Sequence, residues 1–259
     1  MNAIVDTQVD RKSDRAQSLY KGLLVLQSFS GGKTSMTLSD VARAAGMNRA
    51  TTRRFLLTLV DLGYLETDGK LYTLTPKVMT LGYNYLSSLP WWQLANPIVD
   101  EISRTLQESC AVAVLSSDQL TFVTRVQGPR LVGANLMPGR SLPVHATATG
   151  RVLLAELPAA EIDAFISRNP LVPHTEYTVT DPELLKSALR QAREQGYAIV
   201  DQELEIGLRA IGVPVRNASG QLIAAVGVST QSHRIPIAEL EQRILPVIRT
   251  GIAKLRNVL

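Results

Sequence analysis

Four arginines and no aspartate or glutamate fall between Val41 and Val60. Three of them, Arg49, Arg53 and Arg54, lie in the stretch GMNRATTRRFL, residues 46 to 56. A guanidinium can fork onto a guanine edge or hold a phosphate, and a surface without carboxylates does not repel a phosphate backbone. On a helix that packs through Thr52, Phe55, Leu56 and Leu59, residues Arg49, Ala50, Arg53 and Arg54 fall largely on the far side. Asn48 stands where it would cap such a helix, and Gly46 where it would end the one before it. A lone basic pair is most often a solvated face. Here the glycine turn, the acid-free helix and the Asp68-Gly69 turn coincide, and DNA binding accounts for all three. The candidate contacts are Asn48, Arg49, Ala50, Thr51, Arg53 and Arg54, with Lys70 beside the later turn.

A second stretch could hold an anion. SLPVHATATGRVLLA, residues 141 to 155, gathers small residues where a helix begins. Backbone N–H groups of a first helical turn have no partner within the helix and attract a carboxylate. Small side chains from Ala146 to Gly150 would let a ligand reach that backbone, and they would equally suit a tightly packed helix start. Arg125, Arg140 and Arg151 could pair with an acid, and Arg140 is the preferred one because it directly precedes the segment.

Signals for enzymes fail on inspection. SGGKTS, residues 30 to 35, looks like the end of a phosphate-binding loop, but that motif needs glycine five residues before Gly32, and position 27 is Gln. It reads better as a turn between helices. His145, His174 and His233 are isolated, without the paired spacing of a zinc site. The single cysteine, Cys110, sits in an apolar strand, where it packs rather than attacks. No Gly-x-Ser-x-Gly elbow is present. The expectation is no catalytic residue, no metal and no cofactor.

These residues need elements to position them. Residues 1 to 15 read as a polar tail. From Ala16 to Phe29, Leu19, Leu23, Leu26 and Phe29 recur at helical spacing. Leu38, Val41, Ala42 and Ala45 make a short second helix with Thr37 or Ser39 as its N-cap, and the arginine helix is the third. YLETDGKLYTL then alternates around Asp68-Gly69, a hairpin signal. Three helices and a hairpin, residues 16 to 76, are the order of a winged helix-turn-helix. Residues 77 to 90 read as a linker helix, and residues 91 to 259 as a larger domain. There, Asn96-Pro97 opens a helix with proline in its first turn, and CAVAVLS and LTFVTRVQ are strands around Ser117-Asp118. Helices are expected at about residues 145 to 156, 158 to 167 and 182 to 195. The strands YAIVD, AIGVPVR and LIAAVGVST follow, and a helix closes the chain from about Pro236. Strands joined by hairpins, with helices grouped between them, make an α+β domain with a mostly antiparallel sheet.

Composition agrees with a soluble globular protein. The chain has 259 residues, 45% hydrophobic and 19% charged, with a formal charge of only +4. Residues 1 to 75 hold ten Lys/Arg against seven Asp/Glu, and the remainder seventeen against sixteen, so the surplus lies in the N-terminal quarter. A coated, nonspecific DNA binder would be more basic and would not need the larger domain. One cysteine allows no internal disulfide, and the N-terminus lacks the apolar core of a secretory signal. No apolar run is long enough for a membrane span, and Asn217-Ala218-Ser219 is a turn rather than a glycosylation site. The expected location is the cytoplasm, with no membrane partner.

SLYKGLLVLQSF, LSDVARAAGMNRATTRRFLLTLVDLGYLE and GKLYTLTPKVMTLG resemble the winged-helix half of IclR-type transcriptional regulators. SLPVHATATGRVLLA, VDQELEIGLRAIGVPVRNASGQLIAAVGVST and the last helix are similar to the family's second half. VHATATGRVLLA and DQELEIGLRAI look most like the branch that regulates aromatic-acid catabolism through protocatechuate and p-hydroxybenzoate. The resemblance covers residues 16 to 259. It implies a winged helix-turn-helix, a linker helix and a GAF-like effector domain, working as a homodimer or dimer of dimers on a pseudo-palindromic double-stranded operator. It also implies a small organic acid bound between the sheet and the helix after the PVHATATG-type segment. The implied effector residues are Arg140, His145, Thr147, Ala148, Thr149, Asp201, Glu203, Arg209, Ala210, Gly227 and Ser229. Ala210 stands where many members carry cysteine, and Gly227 where many carry serine. Both changes remove bulk, which leaves room for a ring: an aromatic acid, or else an acyclic product such as β-ketoadipate. The rival reading is an enzyme acting on a small acid, with an N-terminal assembly module.

Overall fold

The computed structural model describes residues 16–29, 35–129 and 141–256. The chain divides into two compact units, one ending at Tyr85 and the other beginning at Leu86. None of its described helices is long and apolar enough to cross a membrane.

The first unit carries α1 (Gln17–Gln27), β1 (Ser35–Thr37), α2 (Leu38–Ala44), α3 (Arg49–Asp61), β2 (Leu65–Thr67) and β3 (Leu71–Leu74). Thr37 is the N-cap of α2 and forms a reciprocal capping box with Asp40. Gly46 takes φ +64° and turns the chain, and the Asn48 side chain accepts from Thr51 N at 2.8 Å to start α3. Thr52, Leu56 and Leu59 are buried on the inner side of α3, with Val25, Phe29 and Val41 in the same core. The wing is three-stranded, in the order β1-β3-β2. The sequence pattern did not show β1, because a three-residue edge strand is too short to alternate. Much of the SGGKTS turn lies outside the described residues. One face was misjudged: Leu19 and Leu23 are 65% and 46% exposed, while Val25 is fully buried. Helix α1 has two adjoining apolar stripes, and the unit buries only one.

A 3₁₀ turn (Pro76–Val78) leads into α4 (Met79–Ser87), which buries no residue. The second unit then runs α5 (Trp92–Leu106), β4 (Ser109–Ser116), β5 (Gln119–Val126), β6 (Ser141–Leu142), α6 (Ala148–Ala155), α7 (Ala159–Arg168), α8 (Pro182–Gln195), β7 (Ala198–Asp201), β8 (Leu208–Arg216) and β9 (Leu222–Gln231). It closes with α9 (Ile237–Glu239), a π turn (Leu240–Ile244) and α10 (Leu245–Arg256). All six strands pair antiparallel in the order β6-β5-β4-β9-β8-β7. The fold is α+β, with both faces of the sheet covered. Val112, Val213 and Val226 point toward α5 and α10. Their neighbours Ala111, Ala113 and Ala225 point toward α6 and α8, the period of two that a pleated strand imposes.

Three helix boundaries differ from the sequence reading. Helix α5 starts at Trp92, so Pro97 is inside it. The proline is exposed, and water can serve the carbonyl its missing N–H leaves free. Helix α6 starts at Ala148 rather than near residue 145. The closing helix is interrupted by a π turn just before Pro246, which cannot donate a regular i→i−4 bond.

Candidate functional site

Two surfaces carry the residues singled out in the sequence. On α3, Arg49, Ala50, Arg53 and Arg54 are exposed, as is Lys70 in the wing turn. None of the three α3 arginines makes an ion pair among the described residues. Asn48 is occupied by its cap, and Thr51, half-buried, supplies the N–H it receives. The wing turn is held by Asp68, whose carboxylate accepts from Lys70 N at 2.9 Å and Leu71 N at 2.7 Å. These bonds hold the Asp68 carboxyl below its usual pKa. Gly69 sits at φ +94°, which a side chain would resist. The result is a basic helix face, and a hairpin tip fixed by the Asp68 carboxylate with Lys70 exposed beside it.

The second surface is a pocket between the start of α6 and the sheet. The space between its atoms is about 470 Å³, a figure that includes the open solvent at its mouth. Beside it the sheet carries a row of small residues. Gly227 on β9 pairs with Ala111 on β4 and with Gly212 on β8. A Cβ on Gly212 would lie 2.6 Å from the Ala148 carbonyl and 2.7 Å from Thr149 N, so the first turn of α6 rests directly on this row. A Cβ on Gly150 would lie 2.2 Å from the Val144 carbonyl oxygen. The small residues therefore serve close packing as well as access.

The polar groups of the pocket are few. Thr147 is the N-cap of α6 by backbone position but makes no side-chain cap bond. Its hydroxyl donates instead to the carbonyls of Pro143 and Val144, at 3.0 and 3.3 Å. The first helical donor with a helix partner is Arg151 N, bonded to Thr147 O at 2.9 Å. The donors of Ala148, Thr149 and Gly150 precede it in the first turn. The hydroxyls of Thr149 and Ser229 make no hydrogen bond among the described residues, and both residues line the pocket. The walls are apolar: Phe122, Leu142, Val200, Leu204 and Leu208.

Six expected effector residues line this pocket: Thr147, Ala148, Thr149, Ala210, Gly227 and Ser229. Gly227 leaves no vacancy above its own Cα, because a Cβ there would meet the Thr149 methyl at 2.6 Å. His145, Asp201, Glu203 and Arg209 are not among the lining residues; they build its frame. Arg151 and Glu203 form a buried ion pair. The Arg151 Nε also donates to His145 O at 2.7 Å, and Glu203 accepts from Val179 N at 3.0 Å. Burial pulls the Arg151 pKa down while Glu203 pushes it up. Arg209 forks onto Asp201 at 2.8 Å and donates to Ile235 O at 2.6 Å. The His145 ring meets the Val172 carbonyl at 3.1 Å and stands 5.8 Å from the His174 ring. Arg140 lies outside the described residues. Arg125 is half-buried on β5, and its pKa is lowered by desolvation.

Sequence reasoning missed the apolar walls. The alternation of β5 was the available signal, since it sends Leu120 and Phe122 to the α6 side. Cys110 is fully buried, and desolvation pushes its pKa up to about 12, so its thiol stays protonated.

Comparisons with known proteins divide the chain in the same sense. The IclR helix-turn-helix domain matches residues 18–69, and the bacterial transcriptional regulator IclR C-terminal domain matches residues 83–255. The Pca regulon regulatory protein of Pseudomonas putida is 42% identical over 236 residues, 91% of this chain and 81% of that one. The p-hydroxybenzoate hydroxylase transcriptional activator of Acinetobacter baylyi is 33% identical over 253 residues, 96% and 93% of the two chains. An IclR homolog from Microbacterium hydrocarbonoxydans, crystallised with 4-hydroxybenzoate, superposes with a TM-score of 0.82 at 26% identity, covering 93% of this chain and 98% of that one.

Proposed function

The chain belongs to the IclR family of bacterial transcriptional regulators, and from that premise we propose that its pocket reads a small aromatic carboxylic acid of the 4-hydroxybenzoate type. The observation that carries this reading is the start of α6. It is a helix N-terminus without a side-chain cap, facing an apolar hollow. Free donors and the helix dipole favour an anion there, and Phe122 and Leu142 suit a ring. The carboxylate meets the backbone at Ala148 and Thr149. The ring extends between the apolar walls toward Ala210, with the Thr149 and Ser229 hydroxyls available to a polar ring substituent. The acid is sensed and not consumed.

The DNA-binding half acts through Arg49, Arg53 and Arg54 in the major groove, with Lys70 of the wing on the backbone. A homodimer on a pseudo-palindrome is the proposed assembly. The exposed apolar side chains of α1 and α4, including Leu19, Tyr20, Met79 and Tyr83, support it. The acid biases that assembly, and coupling of this kind is typically about 1–3 kcal/mol, enough to change operator occupancy many-fold.

A thermal-shift comparison of 4-hydroxybenzoate with 4-hydroxybenzamide tests the pocket. The two share a shape, and only the first carries a carboxylate. At a hundred times its dissociation constant the acid should add about 2.7 kcal/mol of stability, and the amide much less. Equal shifts would remove the helix start as the anion site. No shift with any aromatic acid would remove the ligand class.

A further inference from the structure

The corner between α3 and the wing is tied to the first turn of the linker by an arrangement that neither DNA contact nor ligand binding requires. Helix α3 ends in a Schellman motif: Gly63 N bonds to Val60 O at 2.8 Å and Tyr64 N to Leu59 O at 2.9 Å, with Gly63 at φ +74°. Beyond the two carbonyls that the motif uses lie those of Leu62, Gly63 and Tyr64. All three are taken by the segment that opens the linker. Lys77 Nζ donates to Leu62 O at 2.8 Å, Thr75 Oγ1 donates to Gly63 O at 2.5 Å, and Thr75 N donates to Tyr64 O at 3.0 Å. The Lys77 ammonium also stands 5.2 Å from the centre of the Tyr64 ring. The Lys77 stem passes close to Gly63, where a Cβ would be in ordinary contact with Cδ at 3.7 Å, and it is the φ of +74° that calls for glycine there. A cation at this position also complements the negative end of the α3 dipole.

Lys77 and Thr75 bracket Pro76, the first residue of the 3₁₀ turn that runs into α4. The C-cap of the recognition helix and the two residues after it are thus joined to the first turn of the linker by three hydrogen bonds and a cation–π contact. Lys77 reaches the cap itself, and Thr75 holds Gly63 and Tyr64, its N–H continuing the β2–β3 ladder. We propose that Thr75 and Lys77 are positioning residues, a clasp that makes the linker and α3 turn as one body. A rotation of the linker is then delivered to α3, where a free corner would absorb it. The proposal rests on the effector-coupled reading above only for the origin of that rotation.

The test uses the full chain and an operator selected by the wild type from a random duplex pool. Lys77→Met keeps the stem and removes the donor, Thr75→Val removes the hydroxyl at nearly constant shape, and Lys77→Arg restores a donor that can reach the carbonyl. Operator affinity is measured by fluorescence anisotropy with and without 4-hydroxybenzoate, at two salt concentrations. In the wild type the ratio should lie in the range of about 5–150-fold usual for coupled sites. In Lys77→Met and Thr75→Val it should fall several-fold toward one, with Lys77→Arg close to wild type. Because Lys77 is exposed, Lys77→Met should unfold at the wild-type temperature. An unchanged ratio overturns the clasp. So does equal weakening in both states with a shallower salt dependence, which would make Lys77 a phosphate contact. If the wild type itself ignores the acid, the ligand reading fails, and the clasp is judged by operators with one extra base pair between half-sites. The wild type should then lose more affinity than Lys77→Met, and equal losses overturn the proposal.

Discussion

The recognition helix α3 and the pocket helix α6, each proposed to meet a ligand, are built on opposite plans. Helix α3 offers side chains: its arginines stand in solvent, and its buried side is an ordinary apolar seam. Helix α6 offers backbone. All eight of its residues are buried, and its first turn lies on a shelf of glycine and alanine. On α3, contact and folding are separate jobs carried by different atoms. On α6 the atoms that would touch a ligand are also the ones that pack. A change on α3 should therefore alter binding and spare stability, whereas a change around α6 should reach both.

The largest contrast comes from Glu203→Ala set against Arg53→Ala. Glu203 holds Arg151 in a buried pair and also receives Val179 N. Removing it leaves a buried guanidinium without its carboxylate, a loss of about 3–5 kcal/mol. Arg53→Ala should change stability by less than about 0.5 kcal/mol. It should instead weaken specific operator binding by about 1–3 kcal/mol if Arg53 reads a base, or chiefly reduce the salt dependence if it holds phosphate. Urea denaturation and operator titration of both variants check the pair. A stable Glu203→Ala protein, or an Arg53→Ala protein that binds as the wild type at both salt concentrations, would erase the contrast.

A smaller effect tests the shelf under α6. Gly227→Ala places a methyl 2.6 Å from the Thr149 methyl, and overpacking of this kind costs about 1–3 kcal/mol. Thr149→Ser removes the opposing methyl and keeps the hydroxyl. The double variant should recover most of the loss in a double-mutant cycle. If Thr149→Ser rescues nothing, the glycine is not there to admit Thr149.

The same contrast explains what the sequence could reveal. The recognition helix was legible because its signals are side chains at fixed spacing: Asn48 as cap, Gly46 as stop, and arginines opposite a buried seam. The sheet was legible through alternation, and the Ser117-Asp118 turn through residue types that tolerate the φ of +49° and +64° found there. The pocket was legible only by its place beside the PVHATATG segment. The groups proposed to attract an anion there are backbone, and Ala148 or Gly227 reads the same whether it admits a ligand or a neighbouring helix. The polar residues that caught attention in the sequence, Asp201, Glu203 and Arg209, pair with their own surroundings instead. The short strands β1 and β6 carry too few residues for any pattern.

The smallest effect concerns His145, which lies on the packed side of the comparison but carries a titratable group. Its Nε2 faces the Val172 carbonyl, an acceptor only, so the neutral ring carries its proton on that nitrogen. A second proton would charge a buried ring beside Arg151 and His174, with Glu203 already committed to Arg151. Burial is the main cause that lowers the His145 pKa from 6.5, the Val172 bond opposes it, and His174 and Arg151 add to the lowering. The sign follows from proton linkage. Just below pH 6.5 the unfolded chain binds a proton at this residue that the folded chain refuses, so stability is full above that pH and is lost as pH falls toward the lowered value. His145→Gln stays neutral throughout and keeps His174 as an internal control. Unfolding free energies at pH 7.5 and 5.5 should therefore fall more in the wild type than in His145→Gln. Because His145 O holds Arg151 and its chain leads into α6, the acid-dependent loss should appear in ligand affinity as well, while operator binding without ligand should not follow it. Parallel pH profiles for the two proteins would mean that the His145 site accepts its charge after all, through solvent reaching the ring.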